Sequence, residues 1–144
     1  MVVEIGEANS RFSLSLERAR ADLESLDRAS AVTPALAPYA ARFREVVQEH
    51  ERLVDEHEAM ASSRGGGPFG YRRASSLLGA IVTEQDAVTN AYAAVVAGAA
   101  ASVGLSMDDR PGSAAVYQQT PPFYERIRYS IVRPPLDAVL RAAL

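Results

Sequence analysis

The stretch from Pro34 to Met60 constrains the fold of this chain more than any other, because its apolar residues recur with a helical period. One series within it repeats every seven residues and therefore lies on one side of a helix: Leu36, Phe43, His50 and His57. The first half of that side is aromatic and aliphatic, whereas the second half carries both histidines of the chain. The spacing predicts a long helix whose inward seam becomes polar towards its end.

Two further segments show the same alternation of three-residue and four-residue gaps between apolar positions. Together the segments predict three long helices, with the ranges Asn9 or Ser10 to Ser30, Pro34 or Pro38 to Ala61, and Ala74 or Ser75 to Leu105. The connection between the first two is short, which favours an antiparallel pair.

Residues suited to starting a helix set two of these boundaries. Asn9 or Ser10 has a side chain that can cap the first helix, so residues 1–8 are expected to precede it. Thr33 is expected to cap the second helix, because a proline follows it. Arg18 and Asp22 are four residues apart and are assigned to the solvated face of the first helix.

Prolines divide the C-terminal part of the chain into short segments, with pairs at 121–122 and 134–135. Residues 123–132 fit both a helix and a strand, and their four-residue apolar spacing favours the helix. The second proline pair is expected to end that segment, with a last short helix over Leu136–Leu144. The predicted fold is all-α: an antiparallel bundle of three long helices within 1–112, and a short, proline-broken helical arm at 113–144.

The two histidines have a structural and a metal-binding interpretation. Helical metal bundles often place a glutamate three residues before a histidine, but valine occupies both of those places here. The two imidazoles would lie about 10.5 Å apart along the helix axis, too far to share an ion within one helix. The favoured interpretation is that both are polar seam residues that set register or partner choice. The alternative is a helical ligand- or metal-binding protein that uses His50, His57 and Glu84.

Sequence motifs of catalytic and phosphate-binding sites are missing from the chain. Neither G-x-S-x-G nor H-E-x-x-H occurs. Gly65 and Gly70 are five residues apart, as in a phosphate-binding loop, but Tyr71 and Arg72 stand where Lys and Ser or Thr belong. We therefore interpret the glycine loop as a hinge and a contact surface, and we predict a protein that is not an enzyme and needs no cofactor.

Opposite charges are concentrated in different parts of the chain. Between Glu45 and Glu58 there are six acidic side chains and one arginine, whereas the residues from Phe123 onward contain four arginines and two acidic side chains. Such segments can meet within one subunit or between copies. The predicted partner-binding surface combines aromatic, aliphatic and arginine side chains of the glycine loop and the arm: Phe69, Tyr71, Arg72, Arg73, Phe123, Arg126, Arg128 and Ile131.

These features predict a non-catalytic structural or assembly protein that forms homo-oligomers or docks on a protein partner. Connector subunits of tailed viruses have a similar layout, and the analogy rests on layout alone. A formal net charge of −3 argues against nucleic-acid binding. Residues 87–107 carry no charge, but their small side chains favour a buried helix over a membrane span. The expected location is the cytoplasm, or the virion if the analogy holds.

Overall fold

The computed structural model describes residues 2–62, 70–105, 129 and 132–144. Within them the chain forms four α-helices and one short 3₁₀ turn: α1 (Val2–Val32), the 3₁₀ turn (Pro34–Leu36), α2 (Ala37–Ser62), α3 (Gly70–Ser102) and α4 (Arg133–Ala143). No strand occurs in this part of the chain, so the predicted all-helical class is confirmed. None of the helices it contains is long and apolar enough to cross a membrane.

Helix α1 begins at Val2, which corrects the predicted start at Asn9 or Ser10. Residues 2–8 contain no proline, so nothing in the backbone prevents the helix from extending through them. Asn9 is therefore an interior helical residue that is only 7% exposed. Its side-chain amide Nδ2 donates to the carbonyl oxygen of Val54 on α2, at 3.4 Å, and does not cap a helix.

The turn between α1 and α2 accommodates two prolines by tightening into a 3₁₀ helix over Pro34–Leu36. In an α-helix the carbonyl of Pro34 would accept a hydrogen bond from residue 38, but Pro38 has no backbone N–H. The N–H of Ala37 bonds to that carbonyl instead, in the 3₁₀ pattern. Thr33 makes no side-chain cap at this turn, so that prediction is wrong. Its hydroxyl donates instead to the carbonyl oxygen of Ala143 at 3.0 Å, which ties the turn to the end of α4.

Helix α3 starts at Gly70, four or five residues before the predicted start, and ends at Ser102. Its C-terminus is closed by Gly104, whose φ of +79° is favourable only without a side chain. The N–H of Leu105 bonds to the Ala100 carbonyl at 2.9 Å, and the N–H of Gly104 bonds to the Ala101 carbonyl at 3.1 Å. These two bonds form a Schellman motif, which stops the helix three residues earlier than predicted.

A single apolar core joins all four helices. The predicted inward positions of α1 and α2 are buried in it, including Phe12, Leu16, Ala19, Leu26, Phe43 and Leu53. Helix α3 contributes Val88, Tyr92, Val95 and Ala99 to the same core. Helix α1 packs against α2, α2 against α3, and α4 against both α1 and α3.

Helix α4 includes Pro134 and Pro135 in its first turn, whereas the sequence predicted that they end the preceding element. The first turn of a helix has backbone N–H groups without intrahelical partners, so prolines are tolerated there. The first intrahelical bond is made by the N–H of Leu136 to the carbonyl of Val132, at 3.1 Å. Leu136 and Val139 are buried, as are Tyr129 and Val132 before the helix. Apart from Tyr129 and Val132, the segment predicted as helix over 123–132 lies outside the described residues.

Two glycines of α3 provide a matched stability test. A methyl group on Gly79 would meet no atom within 4 Å, whereas one on Gly98 would lie 2.6 Å from Cε1 of Tyr39. The ring of Tyr39 therefore packs directly against the backbone of α3 at Gly98. We expect Gly79→Ala to raise the free energy of unfolding by about 0.5–1 kcal/mol. Gly98→Ala should fall at least about 1 kcal/mol below it, because the ring must move. Equal urea midpoints for the two variants would contradict this packing.

Candidate functional site

His50 of α2 is a buried polar side chain in the core with a protein partner at each of its two ring nitrogens. Its Nε2 lies 2.8 Å from the carbonyl oxygen of Phe12, and its Nδ1 lies 2.8 Å from the hydroxyl of Tyr92. Because a carbonyl oxygen only accepts, Nε2 carries the proton and Nδ1 accepts from the tyrosine. Burial lowers the pKa of His50 to about 4, against a partial opposing effect of the bond to Phe12. His50 is therefore neutral at pH 7 and links α1, α2 and α3.

The same chain of contacts continues into the C-terminal segment. The ring of Tyr129 meets that of Tyr92 edge-on, with 5.0 Å between centroids. The Tyr129 hydroxyl donates to Oδ2 of Asp22 at 2.5 Å, and the guanidinium of Arg133 lies 3.9 Å from Oδ1 of the same carboxylate. A continuous path of buried polar and aromatic groups thus runs from α1 through the C-terminal segment to α3 and α2.

Asp22 was assigned to the solvated face of α1, but it is 6% exposed. Burial raises the pKa of Asp22, although the hydrogen bond from Tyr129 and the charge of Arg133 lower it. Asp22 lies three residues after Ala19 and four before Leu26, both fully buried, so the helical period alone places it on the inner side. The prediction that Asp22 lies on the solvated face is therefore wrong, because it followed the charge of the residue and not the helical period.

The second histidine, His57, has a different environment although it lies seven residues further along the same seam. It is fully buried, and neither ring nitrogen has a hydrogen-bond partner among the described residues. Its Nε2 lies 3.5 Å from Oε1 of Glu84 on α3. Two further buried atoms also lack partners in the described part of the chain, Oδ1 of Asn9 and Nε2 of Gln85.

The structure brings together two of the three residues of the alternative metal-binding interpretation. His57 and Glu84 face each other, whereas both nitrogens of His50 are already bonded to protein groups. No group of three or more His, Asp or Glu side chains in the described ranges is arranged to hold a metal ion.

A groove of about 320 Å³ runs between α2 and α3 on the surface. Its floor is apolar and is formed mainly by Val46, Leu53, Ala87, Val88 and Ala91. Glu45, Glu49 and Glu84 lie along it together with one base, Arg42. The guanidinium of Arg42 pairs with Glu45 at 3.0 Å, so the remaining groove charge is negative.

Part of the acidic stretch between Glu45 and Glu58 is neutralised locally. Arg52 bonds to Glu49 at 2.7 Å and to Glu56 at 2.6 Å, one turn away on either side. Arg20 of α1 lies 3.1 Å from Glu51. These exposed pairs each contribute little to stability, on the order of a few tenths of a kcal/mol. They reduce the acidic excess that the sequence indicates without removing it.

Most of the predicted partner-binding residues fall outside the described part of the chain: Phe69, Phe123, Arg126, Arg128 and Ile131. The backbone of Tyr71, Arg72 and Arg73 belongs to the first turn of α3, and their side chains are not described. The residues that sequence reasoning missed are Tyr92 and Tyr129 as polar partners, since a hydroxyl's partner on another helix leaves no local signal. Comparison of the chain with protein-family models, with curated proteins and with solved structures found no match.

Proposed function

We propose that this protein is a non-catalytic assembly protein, an antiparallel bundle of three long helices whose copies associate with one another. Three buried side chains are of types that occur in catalytic sites: His50, Tyr92 and Asp22. Each is hydrogen-bonded inside the core to a group on another segment of the chain. They act as ties between helices. The layout stays similar to that of virion connector subunits, which is an analogy of shape only.

The observation that carries the proposal is the groove between α2 and α3. Among the described residues, Val46, Leu53 and Val88 form the buried floor of this groove, and the exposed side chain of Ala87 and the partly buried one of Ala91 also line it. An apolar floor with a charged rim is the usual composition of a protein-docking surface. The small side chains of Ala87 and Ala91 leave room for the residues of a partner.

The proposed occupant is the arginine-bearing segment of another copy, which includes Phe123, Arg126, Arg128 and Ile131. Its positive charge is complementary to the acidic rim formed by Glu45, Glu49 and Glu84, and complementary charge selects partners and register. Tyr129 and the inward side chains of α4 are buried against their own chain. The part of the arm proposed to dock on another copy is therefore limited to its other side chains. One copy donates and the next accepts, which is a heterologous contact that forms rings or filaments.

A matched pair of arginine substitutions on α3 tests this proposal. Ala87 is exposed and lines the groove, whereas Ala97 is exposed on α3 and does not line it. We expect the wild-type protein to show a mass above the 15.4 kDa of one chain by light scattering. Ala87→Arg should reduce that mass towards one chain, because it fills the groove and repels arginines. Ala97→Arg should leave the mass unchanged.

Charge reversal on the donor side gives an independent check. Arg126→Glu combined with Arg128→Glu should weaken the assembly as Ala87→Arg does, and added salt should weaken the wild-type assembly. A wild-type chain that stays monomeric at all accessible concentrations would overturn the proposal. So would an Ala87→Arg variant with the mass of the Ala97→Arg control.

A further inference from the structure

We propose that His57 and Glu84 form the protein part of a binding site for a divalent first-row transition-metal ion, such as Zn²⁺ or Co²⁺. The inference is separate from self-association and does not depend on it. It starts from His57, which is fully buried while both of its ring nitrogens lack a hydrogen-bond partner among the described residues. An unpaired buried imidazole costs stability, and an ion bound to one of its nitrogens would use that group.

The comparison with His50 makes this environment specific. Both histidines lie in the same seam of α2 and both are buried, at 1% and 0% exposure. His50 has its donor and its acceptor supplied by the protein, from Phe12 and Tyr92. On α3 the residue that reaches His57 is a carboxylate, Glu84, eight residues before Tyr92. Both nitrogens of His50 are therefore hydrogen-bonded to protein groups, whereas Nε2 of His57 faces the carboxylate of Glu84 without a hydrogen bond.

The distance between the two side chains fits shared coordination. At 3.5 Å, Nε2 of His57 and Oε1 of Glu84 are farther apart than a charge-assisted hydrogen bond, which is about 2.7–2.9 Å. Two ligands about 2.1 Å from one zinc ion in tetrahedral geometry are about 3.4 Å apart. Imidazole and carboxylate together suit zinc, cobalt, nickel and copper.

The groove between α2 and α3 reaches Glu84, the solvent-exposed member of this pair. Glu84 lines the groove and its side chain is 37% exposed, so an ion can reach its carboxylate from solvent. Glu45 and Glu49 line the same groove, but each is paired with an arginine, Arg42 or Arg52, so Glu84 is the groove carboxylate that faces His57. Water would fill the remaining coordination positions. With two ionisable ligands the site would bind more weakly than a four-ligand structural zinc site.

The test uses the full chain without a histidine tag, cleared of metal with a chelator and then titrated with Zn²⁺ and with Co²⁺. Calorimetry should show one ion bound per chain, and bound Co²⁺ should develop visible absorption bands. His57→Gln and Glu84→Gln should each weaken binding by about tenfold or more. Glu84 is partly exposed, so its variant keeps the fold even if His57→Gln does not.

The control is Glu45→Gln, which removes a groove carboxylate that is paired with Arg42 and is away from His57. This variant should bind both ions within about twofold of the wild-type affinity, because only general attraction changes. Absence of saturable binding to the wild-type chain would overturn the proposal. Equal losses in Glu45→Gln and Glu84→Gln would also overturn it, since they would show a diffuse acidic effect.

Discussion

Replacing Leu136 with alanine should lower the free energy of unfolding by about 2–5 kcal/mol, the usual cost of removing a buried leucine side chain. Leu136 is 1% exposed and packs from α4 into the core shared with α1 and α3. Leu144, eight residues further on, is 73% exposed and gives a matched control. Leu144→Ala should change the free energy by less than about 0.5 kcal/mol.

Urea unfolding followed by circular dichroism measures both variants. Similar midpoints for Leu136→Ala and Leu144→Ala would show that α4 does not contribute to the core in solution. Repeating the Leu136→Ala measurement at several protein concentrations shows whether α4 packs on its own chain or on another copy. If α4 packs on its own chain, the loss is independent of protein concentration, whereas exchange of α4 between copies would make it grow on dilution.

The C-terminal helix also shows where sequence reasoning reaches its limit. A proline pair is compatible with the end of one helix and with the first turn of the next, because both places lack an intrahelical N–H bond. The sequence favoured an end before Leu136, and the structure has a beginning at Arg133. The choice depends on the burial of Leu136 and Val139 against α1 and α3, which is tertiary information.

For the seam of α2, by contrast, the seven-residue period alone was sufficient to predict which residues are buried. Seven-residue spacing placed His50 and His57 on the buried side with Leu36 and Phe43, and all four are buried. The spacing could not distinguish the two histidines, because their partners lie on α1 and α3. The same period places Asp22 on the buried side of α1, whereas a charged residue by itself indicates an exposed position.

Helix ends were predicted less well than helix seams, for a related reason. Asn9 has the side chain of a capping residue, yet its amide bonds across to Val54 of α2. Thr33 likewise bonds across to Ala143 of α4. Short polar side chains bond to whichever backbone group is nearest, and the nearest group is set by packing between helices.

His50 should make the protein sensitive to acid. In the unfolded chain a histidine takes up a proton near its usual pKa of 6.5, whereas burial lowers the pKa of folded His50 to about 4. Between those two values the unfolded state binds the proton and the folded state does not, so stability is lost as the pH falls from about 6.5 to about 4. The loss attributable to this group reaches about 3 kcal/mol at the lower end.

The His50→Gln variant separates this contribution from that of the carboxylates. It should be less stable than the wild type at pH 7 by about 1–3 kcal/mol, because the Tyr92 hydroxyl and the Phe12 carbonyl both lose a well-placed hydrogen-bond partner. Between pH 6.5 and 4 its stability should fall less steeply, by about 1.4 kcal/mol per pH unit at most. Asp22 acts in the opposite sense, because its raised pKa makes the folded state bind a proton more readily. Parallel stability curves for the wild type and His50→Gln across this range would contradict the lowered pKa of His50.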